Sequence, residues 1–465
     1  MFGSLIVAAA CLFVQDAPAD SPSVAGIYQG VLAVNGQKLR LAIHVDQAED
    51  GTWSAAMDSL DQGAHGIKAS RVVVTPPAVS IEWSSLGAKL VGTVAEDGQQ
   101  FDGTYTQGPF SAPLELTRVE SVEAPKRPQL PQPPFPYAMI DVDFDSVDED
   151  VELAGTLTVP EGKGPFPAVV LVSGSGAQNR DEELMGHKPF LVIADHLSRN
   201  GIAVLRFDDR GTAQSTGNHG TATSFDFAND AEGAVRFLKT RSEIDPARIG
   251  IAGHSEGGLI APIVAARSSD VAFLVLLAGP GIPGDEILRL QNDLIARAGG
   301  ASEEQVARSQ MINAKLFAAL KEEEIGPRLS GKLLAIMEDA KRAATTDVER
   351  AEYEQAALGI GQFATPWFKT FLVYDPVPTL RALKCPVLAL NGSKDLQVPP
   401  KENLEGIERA LREGGNTKFV IRELPGLNHL FQPSETGAPS EYALIETTFS
   451  QDALAAMTEW VLALK

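Results

Sequence analysis

Residues 248–258, R-I-G-I-A-G-H-S-E-G-G, decide the fold of this chain. The apolar residues 249–252 predict a short buried strand, and the apolar residues 259–266 predict a helix. Between them lies the pattern Gly-x-Ser-x-Gly, centred on Ser255. Strand, sharp turn and helix are the context of a nucleophile elbow, which lifts the serine hydroxyl above the sheet. The alternative is a glycine-rich turn with an idle serine, and the strand and helix on either side favour the elbow.

Length and charge limit the class of protein. At 465 residues the chain is too long for one ordinary core, so two or three units are expected. The 39 basic and 61 acidic residues give a net charge of −22, and no basic block is present to neutralise phosphates. We therefore expect no nucleic-acid partner.

Several cofactor and membrane signals are missing from the sequence. The two cysteines, Cys11 and Cys385, form no disulfide framework, and no Cys/His cluster has zinc spacing. Gly174 and Gly176 follow a predicted strand, but the third glycine of a dinucleotide fingerprint is missing. No apolar stretch of membrane-spanning length follows the N-terminus. We predict no metal, no cofactor and no membrane span.

The N-terminus is typical of exported proteins. Residues 1–14 are apolar and small, and Ala17-Pro18-Ala19 fits a cleavage site, so residues 1–20 are predicted to be a signal peptide, although the basic segment is missing. The predicted location is periplasmic or secreted. A lipid anchor at Cys11 is the second alternative and a cytoplasmic protein the third.

Residues 24–120 show short runs of alternating polarity, such as 38–45 and 78–83, separated by turn signals such as Asn35-Gly36. This pattern predicts a small all-β barrel or sandwich of roughly eight strands. A packing module is favoured over a ligand-binding barrel, because no group of polar residues that could form a binding site stands out.

Residues 121–137 are rich in proline, which cannot continue a helix, and are predicted to be a linker.

From residue 138 to 465, strands alternate with helices. The continuous apolar run 167–172 is typical of a buried parallel strand, and helices are predicted near 189–199 and 225–240. This alternation predicts a mostly parallel sheet with helices on both faces, which binds ligands at the carboxyl ends of its strands. Residues 281–380 are helical and polar, which predicts a cap inserted after the sixth strand. The aromatic residues in 367–371 fit an acyl pocket and the core of the cap equally well.

A serine nucleophile needs a base, and the base needs an orienting acid. Of seven histidines only His429 follows Ser255, in a loop after the last predicted strand, so it is the predicted base. His254 is adjacent to the serine, and we expect its side chain to pack away from the hydroxyl. Asp395, at the end of the segment 391–395 that follows the predicted strand 387–390, is the favoured acid.

Three other carboxylates are rivals for the role of the acid. Asp285 and Glu286 follow the preceding strand, and Asp375 lies in the insertion.

A tetrahedral intermediate needs two backbone N–H donors. One is expected from Glu256, at the start of the helix. The other is expected from the small-residue loop 173–176, with Ser175 favoured and Gly176 nearly equal.

Two polar segments lie near the predicted site, at 179–181 and 208–210. Buried ion pairs that hold loops are favoured there over substrate binding.

Together, the segments G-H-S-E-G-G (253–258), S-G-S-G-A-Q-N-R-D-E (173–182), D-R-G (209–211) and L-N-G-S-K-D (390–395) resemble the α/β-hydrolase superfamily. The likeness is greatest to bacterial carboxylesterases with an N-terminal β-domain and to serine-aminopeptidase-like hydrolases. It covers about residues 138–465, is expected to extend to the β-domain, and implies a triad of Ser255, Asp395 and His429. Ser173-Gly174 stands where this superfamily often has His-Gly.

The resemblance implies a serine carboxylesterase that acts on small ester substrates with short or medium acyl chains. A peptidase or thioesterase with the same triad is the runner-up. Prolyl-type peptidases of this fold carry a much larger propeller, which argues against that branch. A binding protein without activity would be expected to have a damaged triad, whereas every member is present.

Overall fold

The computed structural model describes residues 24–34, 37–60, 64–108, 110–122, 126–148 and 150–464. The predicted signal peptide at 1–20, Cys11 and the Asn35-Gly36 turn lie outside the described residues. Contacts divide the chain into two compact units, one within residues 24–122 and one within 126–464.

The first unit is an all-β domain, as predicted. Its nine strands form one antiparallel sheet in the order β4-β3-β2-β1-β9-β8-β7-β6-β5. The strands are β1 (Gly26–Val34), β2 (Gln37–Gln47), β3 (Trp53–Ser59), β4 (Ala64–Lys68), β5 (Arg71–Thr75), β6 (Ala78–Trp83), β7 (Ala88–Val94), β8 (Gln100–Gln107) and β9 (Phe110–Val119). The nine strands agree with the roughly eight that the alternating pattern predicts.

The sheet of the first unit curls around one apolar core. In β6, Val79, Ile81 and Trp83 are buried and alternate with half-buried residues, the period-2 pattern of a strand with one face inward. The indole Nε1 of Trp83 donates to the carbonyl oxygen of Ile67 in β4 at 3.0 Å, so the two ends of the sheet approach each other.

The second unit contains an eight-stranded sheet in the order β10-β11-β13-β12-β14-β15-β16-β17. Strands β12 to β17 pair in parallel, whereas β10 and β11 are antiparallel additions at one edge. The strands are β10 (Tyr137–Asp145), β11 (Glu152–Pro160), β12 (Phe166–Val172), β13 (Ala203–Phe207), β14 (Ile244–His254), β15 (Phe273–Leu277), β16 (Val387–Gly392) and β17 (Phe419–Leu424).

Helices cover both faces of this sheet, as predicted. They are α1 (Pro189–Arg199), α2 (Ser224–Lys239), α3 (Gly257–Arg267), α10 (Pro400–Glu413) and α11 (Gln451–Ala463). Ala168, Val170 and Val172 of β12 belong to a core with α2, α3 and α10, whereas Val169 and Leu171 belong to a core with α1 and α11. Both faces of each central strand are therefore apolar, which explains the continuous apolar run.

Six helices are inserted between β15 and β16. They are α4 (Gly284–Ala298), α5 (Glu303–Glu322), α6 (Pro327–Ala343), α7 (Asp347–Gly359), α8 (Pro366–Val373) and α9 (Val377–Ala382). The N-cap of α5 is Ser302, which forms a capping box with Gln305, as the sequence indicates. The insertion has its own apolar core, which includes Leu320, Leu333 and Phe368. Within the described residues no helix is both long and apolar enough to cross a membrane.

The proline-rich segment before β10 is tied to the second unit. The Gln129 side chain accepts from the backbone N–H groups of Thr448 and Phe449 at 2.6 and 2.9 Å. The Arg127 guanidinium donates to the carbonyl oxygens of Met185 and Ala443 at 2.9 and 2.8 Å. This part of the predicted linker is therefore held by specific hydrogen bonds.

The turn between β14 and α3 leaves no space for side chains. Ser255 has a φ of +53°, in the left-handed region that is costly for a residue with a Cβ atom. A Cβ atom at Gly253 would lie 2.0 Å from the carbonyl oxygen of Gly257, and one at Gly257 would lie 2.2 Å from that of Val172. Glycine is therefore required on both sides of the serine.

The substitution Gly257→Ala tests this constraint. We expect it to lower the free energy of unfolding by about 1–3 kcal/mol, because the new methyl group overlaps the Val172 carbonyl. Gly331→Ala, within α6, is the matched control, since its Cβ would meet nothing within 4 Å. It should stabilise the protein by about 0.5–1 kcal/mol. Urea unfolding followed by circular dichroism measures both, and a neutral effect of Gly257→Ala would contradict the constraint.

Candidate active site

A cavity of about 250 Å³, here called the edge cavity, lies at the carboxyl ends of the parallel strands. Residues that follow three of these strands line it: Ser175 after β12, Ser255 after β14 and His429 after β17. Helices α4 and α8 of the insertion supply apolar lining, including Leu288 and Trp367. This is where an open α/β sheet is expected to bind its ligands.

His429 and Asp395 form a buried pair. Nδ1 of His429 lies 2.8 Å from Oδ2 of Asp395, and both side chains are almost completely buried. The other oxygen of Asp395 accepts from the backbone N–H groups of Gln397 and Val398 at 2.8 and 2.9 Å. Because an ionised carboxylate only accepts, Nδ1 of His429 is the protonated nitrogen, and Nε2 is left able to take a proton.

The rival carboxylates lie elsewhere. Asp285 forms an ion pair with Lys321 at 2.5 Å. Asp375 accepts from the backbone N–H of Val377 at the start of α9, and Glu286 is exposed. Of the four candidates, only Asp395 has a described contact with the imidazole of His429.

Ser255 lines the same cavity as His429, and its backbone N–H donates to the carbonyl oxygen of Leu277 at 2.8 Å. Within the described residues, no hydrogen bond joins the Ser255 hydroxyl to the His429 imidazole. The structure therefore brings the three predicted residues to one site and joins two of them directly.

The loop after β12 lies directly against the serine. A Cβ atom at Gly174 would be 3.2 Å from the Cβ of Ser255, so a side chain there would crowd the serine. The backbone N–H of Gly174 already donates to Oε1 of Glu182 at 2.8 Å. Of the two expected donors, Ser175 lines the edge cavity, whereas Gly176 is not among its lining residues.

The side chain of Glu256 has contacts that sequence reasoning missed, since only its backbone N–H was considered. Its carboxylate is buried and accepts from the Ser224 hydroxyl at 2.6 Å and from the Trp367 indole at 2.8 and 2.9 Å. Burial raises the pKa of Glu256, although hydrogen bonds from Ser224, Trp367 and Ser175 oppose this shift. A signal was present, because Glu256 is the only Asp, Glu, Lys or Arg in the run 249–266.

His254 is more than a packing residue. Nδ1 lies 2.9 Å from Oε1 of Glu182, and Nε2 lies 3.0 Å from the carbonyl oxygen of His429. Both partners only accept, so both ring nitrogens donate and the imidazole is cationic. Burial by itself lowers the pKa of His254, but the Glu182 carboxylate outweighs it, and the pKa is raised. Glu182 and His254 thus connect the loop after β12 to the backbone of the predicted base.

The polar segments predicted to hold loops form ion pairs. Arg180 binds Asp208 at 2.7 Å, and Arg206 pairs with Asp181. Neither Arg180 nor Asp208 lines the edge cavity. Asp209 accepts from the Ser173 hydroxyl at 2.7 Å, and burial raises the pKa of Asp209 to about 8. These contacts fix the loop after β12.

The aromatic residues in 367–371 take both predicted positions, some at the pocket and one in the core of the insertion. Trp367 and Phe371 line the edge cavity, whereas Phe368 belongs to the core of the insertion. Across the described residues, no group of three or more His, Cys, Asp or Glu side chains could hold a metal ion.

The α/β-hydrolase fold is defined by a mostly parallel sheet with helices on both faces and by a strained turn that carries the serine. An acid and a histidine follow later strands of that sheet, as they do here. The family model described as serine aminopeptidase, S33, matches residues 188–435, which is more than half of the chain. The protein belongs to this family. Its predicted membership in the α/β-hydrolase superfamily is therefore confirmed.

The chain is also similar to individual proteins. It is 30% identical over 292 residues to Esterase EstD of Thermotoga maritima, a match that covers 62% of this chain and 61% of that relative. An uncharacterised 31.7 kDa protein of Escherichia coli is 22% identical over 310 residues, covering 66% of this chain and 94% of the relative. A solved esterase from Pyrococcus furiosus matches with a TM-score of 0.41 and 17% identity, over 66% of this chain and 91% of that one.

The pair of Glu182 and His254 predicts a pH-dependent stability. The folded pKa of His254 lies above its unfolded value of 6.5, so the pair stabilises fully below that pH and less as pH rises through the folded pKa. Glu182→Gln should therefore cost about 3–5 kcal/mol at about pH 6 and less at about pH 9.

Urea unfolding at both pH values measures this difference. Glu322→Gln, which breaks the exposed pair with Lys332, is the control and should change stability little at either pH. An equal loss for Glu182→Gln at both pH values would show that His254 is not the titrating partner.

Proposed function

We propose that this protein is a serine carboxylesterase that forms an acyl-enzyme on Ser255, with His429 as general base and Asp395 as orienting acid. The observation that supports this most is the buried His429–Asp395 pair, 2.8 Å apart, in the cavity lined by Ser255. Membership in a hydrolase family and the similarity to Esterase EstD point to the same class of reaction.

In the proposed first step, the Ser255 oxygen attacks the carbonyl carbon of the ester while Nε2 of His429 accepts the hydroxyl proton. The carboxylate of Asp395 stabilises the imidazolium that results. The backbone N–H groups of Glu256, at the start of α3, and of Ser175 donate to the oxyanion. The C–O bond then breaks, and His429 gives its proton to the leaving alcohol.

In the second step, His429 takes a proton from water, and the hydroxide attacks the acyl carbonyl. The tetrahedral intermediate collapses, the bond to Ser255 breaks, and the proton returns to the serine oxygen. The carboxylic acid leaves, and the free enzyme is restored.

The insertion acts as a cap that limits the acyl group. Leu288 of α4 and Trp367 and Phe371 of α8 give the edge cavity an apolar wall, which suits a hydrocarbon chain. A volume of about 250 Å³ favours short or medium chains.

A fluorophosphonate probe tests the nucleophile. The wild type should be labelled, and Ser255→Ala should abolish labelling and lower kcat for p-nitrophenyl butyrate by at least about 10⁴-fold, as expected for the loss of a triad nucleophile. Ser330→Ala, in the insertion helix α6, is a control that should be labelled normally. A wild type that resists the probe would overturn the enzyme proposal.

A substrate panel decides between the proposed reaction and its runner-up. Because the family is described as serine aminopeptidase, amino-acid p-nitroanilides are included beside p-nitrophenyl esters and acyl thioesters. Ester hydrolysis should exceed anilide hydrolysis in kcat/KM. Anilide hydrolysis without ester hydrolysis would make the protein a peptidase with the same triad.

The acid is tested by Asp395→Asn. The amide cannot fix the required tautomer of His429, so kcat should fall by about 10⁴-fold near neutral pH while KM changes little. Asp375→Asn is the matched control, since the described hydrogen bond of Asp375 is to Val377 at the start of α9, and its kcat should stay within about twofold of wild type. Equal losses in both variants would contradict the assignment.

A further inference from the structure

A second cavity lies inside the helical insertion, here called the insertion cavity, with a volume of about 380 Å³. Helices α4 to α8 all contribute to its wall. Its lining is mostly aliphatic and aromatic, for example Leu316, Met337 and Phe363, and none of its lining residues is charged. A cavity without a charged group is suited to a neutral apolar ligand and not to a free carboxylate.

Two helices separate the insertion cavity from the edge cavity. On α4, Ile287 and Gln291 line the edge cavity, whereas Asn292 and Ala296 line the insertion cavity. On α8, Trp367 lines the edge cavity and its neighbour Phe368 lines the insertion cavity. The same two helices therefore form a thin partition between the two spaces.

Leu288 is the residue that lines both cavities. It is partly buried and packs against both the core beneath the sheet and the core of the insertion. An aliphatic chain that starts at Ser255 and fills the edge cavity would meet this side chain before it reached the insertion cavity.

We infer that the insertion cavity is a binding site for the far end of an acyl chain attached at Ser255, and that Leu288 sets the chain length at which entry begins. This inference rests on the proposed esterase function. The absence of charge among the cavity's lining residues favours the methylene end of a substrate over a free fatty acid, whose carboxylate would meet no cationic partner there.

The test compares kcat/KM for p-nitrophenyl dodecanoate and butyrate. Leu288→Ala should raise the ratio of dodecanoate to butyrate by about tenfold or more, because several more methylenes become buried. Ala296→Phe, which fills the insertion cavity, should remove most of that gain when combined with Leu288→Ala. Ala307→Phe is the matched control on the exposed side of α5, and it should leave the gain intact.

Two results would overturn the inference. One is a ratio for Leu288→Ala within about twofold of wild type. The other is a gain that survives Ala296→Phe, since the chain would then lie elsewhere. Thermal unfolding of Leu288→Ala shows whether this variant still folds. If it does not, Leu288→Val, which removes less of the side chain, should raise the ratio of dodecanoate to butyrate by a smaller factor.

A binding measurement separates this inference from the proposed function. N-phenyl-1-naphthylamine, a neutral apolar fluorophore, is titrated into the Ser255→Ala variant, since this binding measurement does not depend on catalysis. Binding that dodecanol displaces and that Ala296→Phe weakens at least about tenfold supports the cavity as an apolar site even if no ester is hydrolysed. If the fluorophore does not bind, or if Ala296→Phe leaves its binding unchanged, the insertion cavity is not an apolar binding site. This conclusion holds whether or not the protein hydrolyses esters.

Discussion

The close approach of backbone segments around Ser255 is the constraint on which the rest of the site depends. The serine lies in a left-handed conformation because β14 ends and α3 begins within two residues of it. Gly253 and Gly257 allow this, since a side chain at either would overlap a carbonyl oxygen. The buried strand and helix hold the turn from both sides, so the local strain is balanced by packing elsewhere. Gly174 then lets the loop after β12 reach the serine.

Buried charges join the loops around this turn. Glu182 binds both the backbone of Gly174 and the ring of His254, and His254 binds the carbonyl oxygen of His429. A buried charge without a partner is costly, so none of these groups can move alone without a loss of stability. The loop with the expected oxyanion donor and the loop with the expected base are therefore held in one arrangement. Groups that are fixed in this way are the preorganisation that electrostatic catalysis needs.

The sequence predicts what depends on local pattern or on chain order. The sheet, the elbow and the pairing of Asp395 with His429 follow from apolar runs and from the order of the strands. The side-chain roles of His254 and Glu256 do not, because their partners lie 72 and 111 residues away, at Glu182 and Trp367. A charged residue inside an apolar run indicates that a buried partner exists, but only the folded chain shows which one.

Helix α8 has two roles that oppose free movement of the insertion. Phe368 is buried in the core of the insertion, while the adjacent Trp367 donates to the buried carboxylate of Glu256 beside the nucleophile. If α8 moved away from the sheet, Glu256 would lose this donor in a place that water reaches poorly, at a cost of about 1–3 kcal/mol. The cost falls on the residue next to Ser255, whose N–H is expected to bind the oxyanion. Substrate entry that displaced α8 would therefore disturb the catalytic turn, and entry along the other walls of the edge cavity is the less costly route.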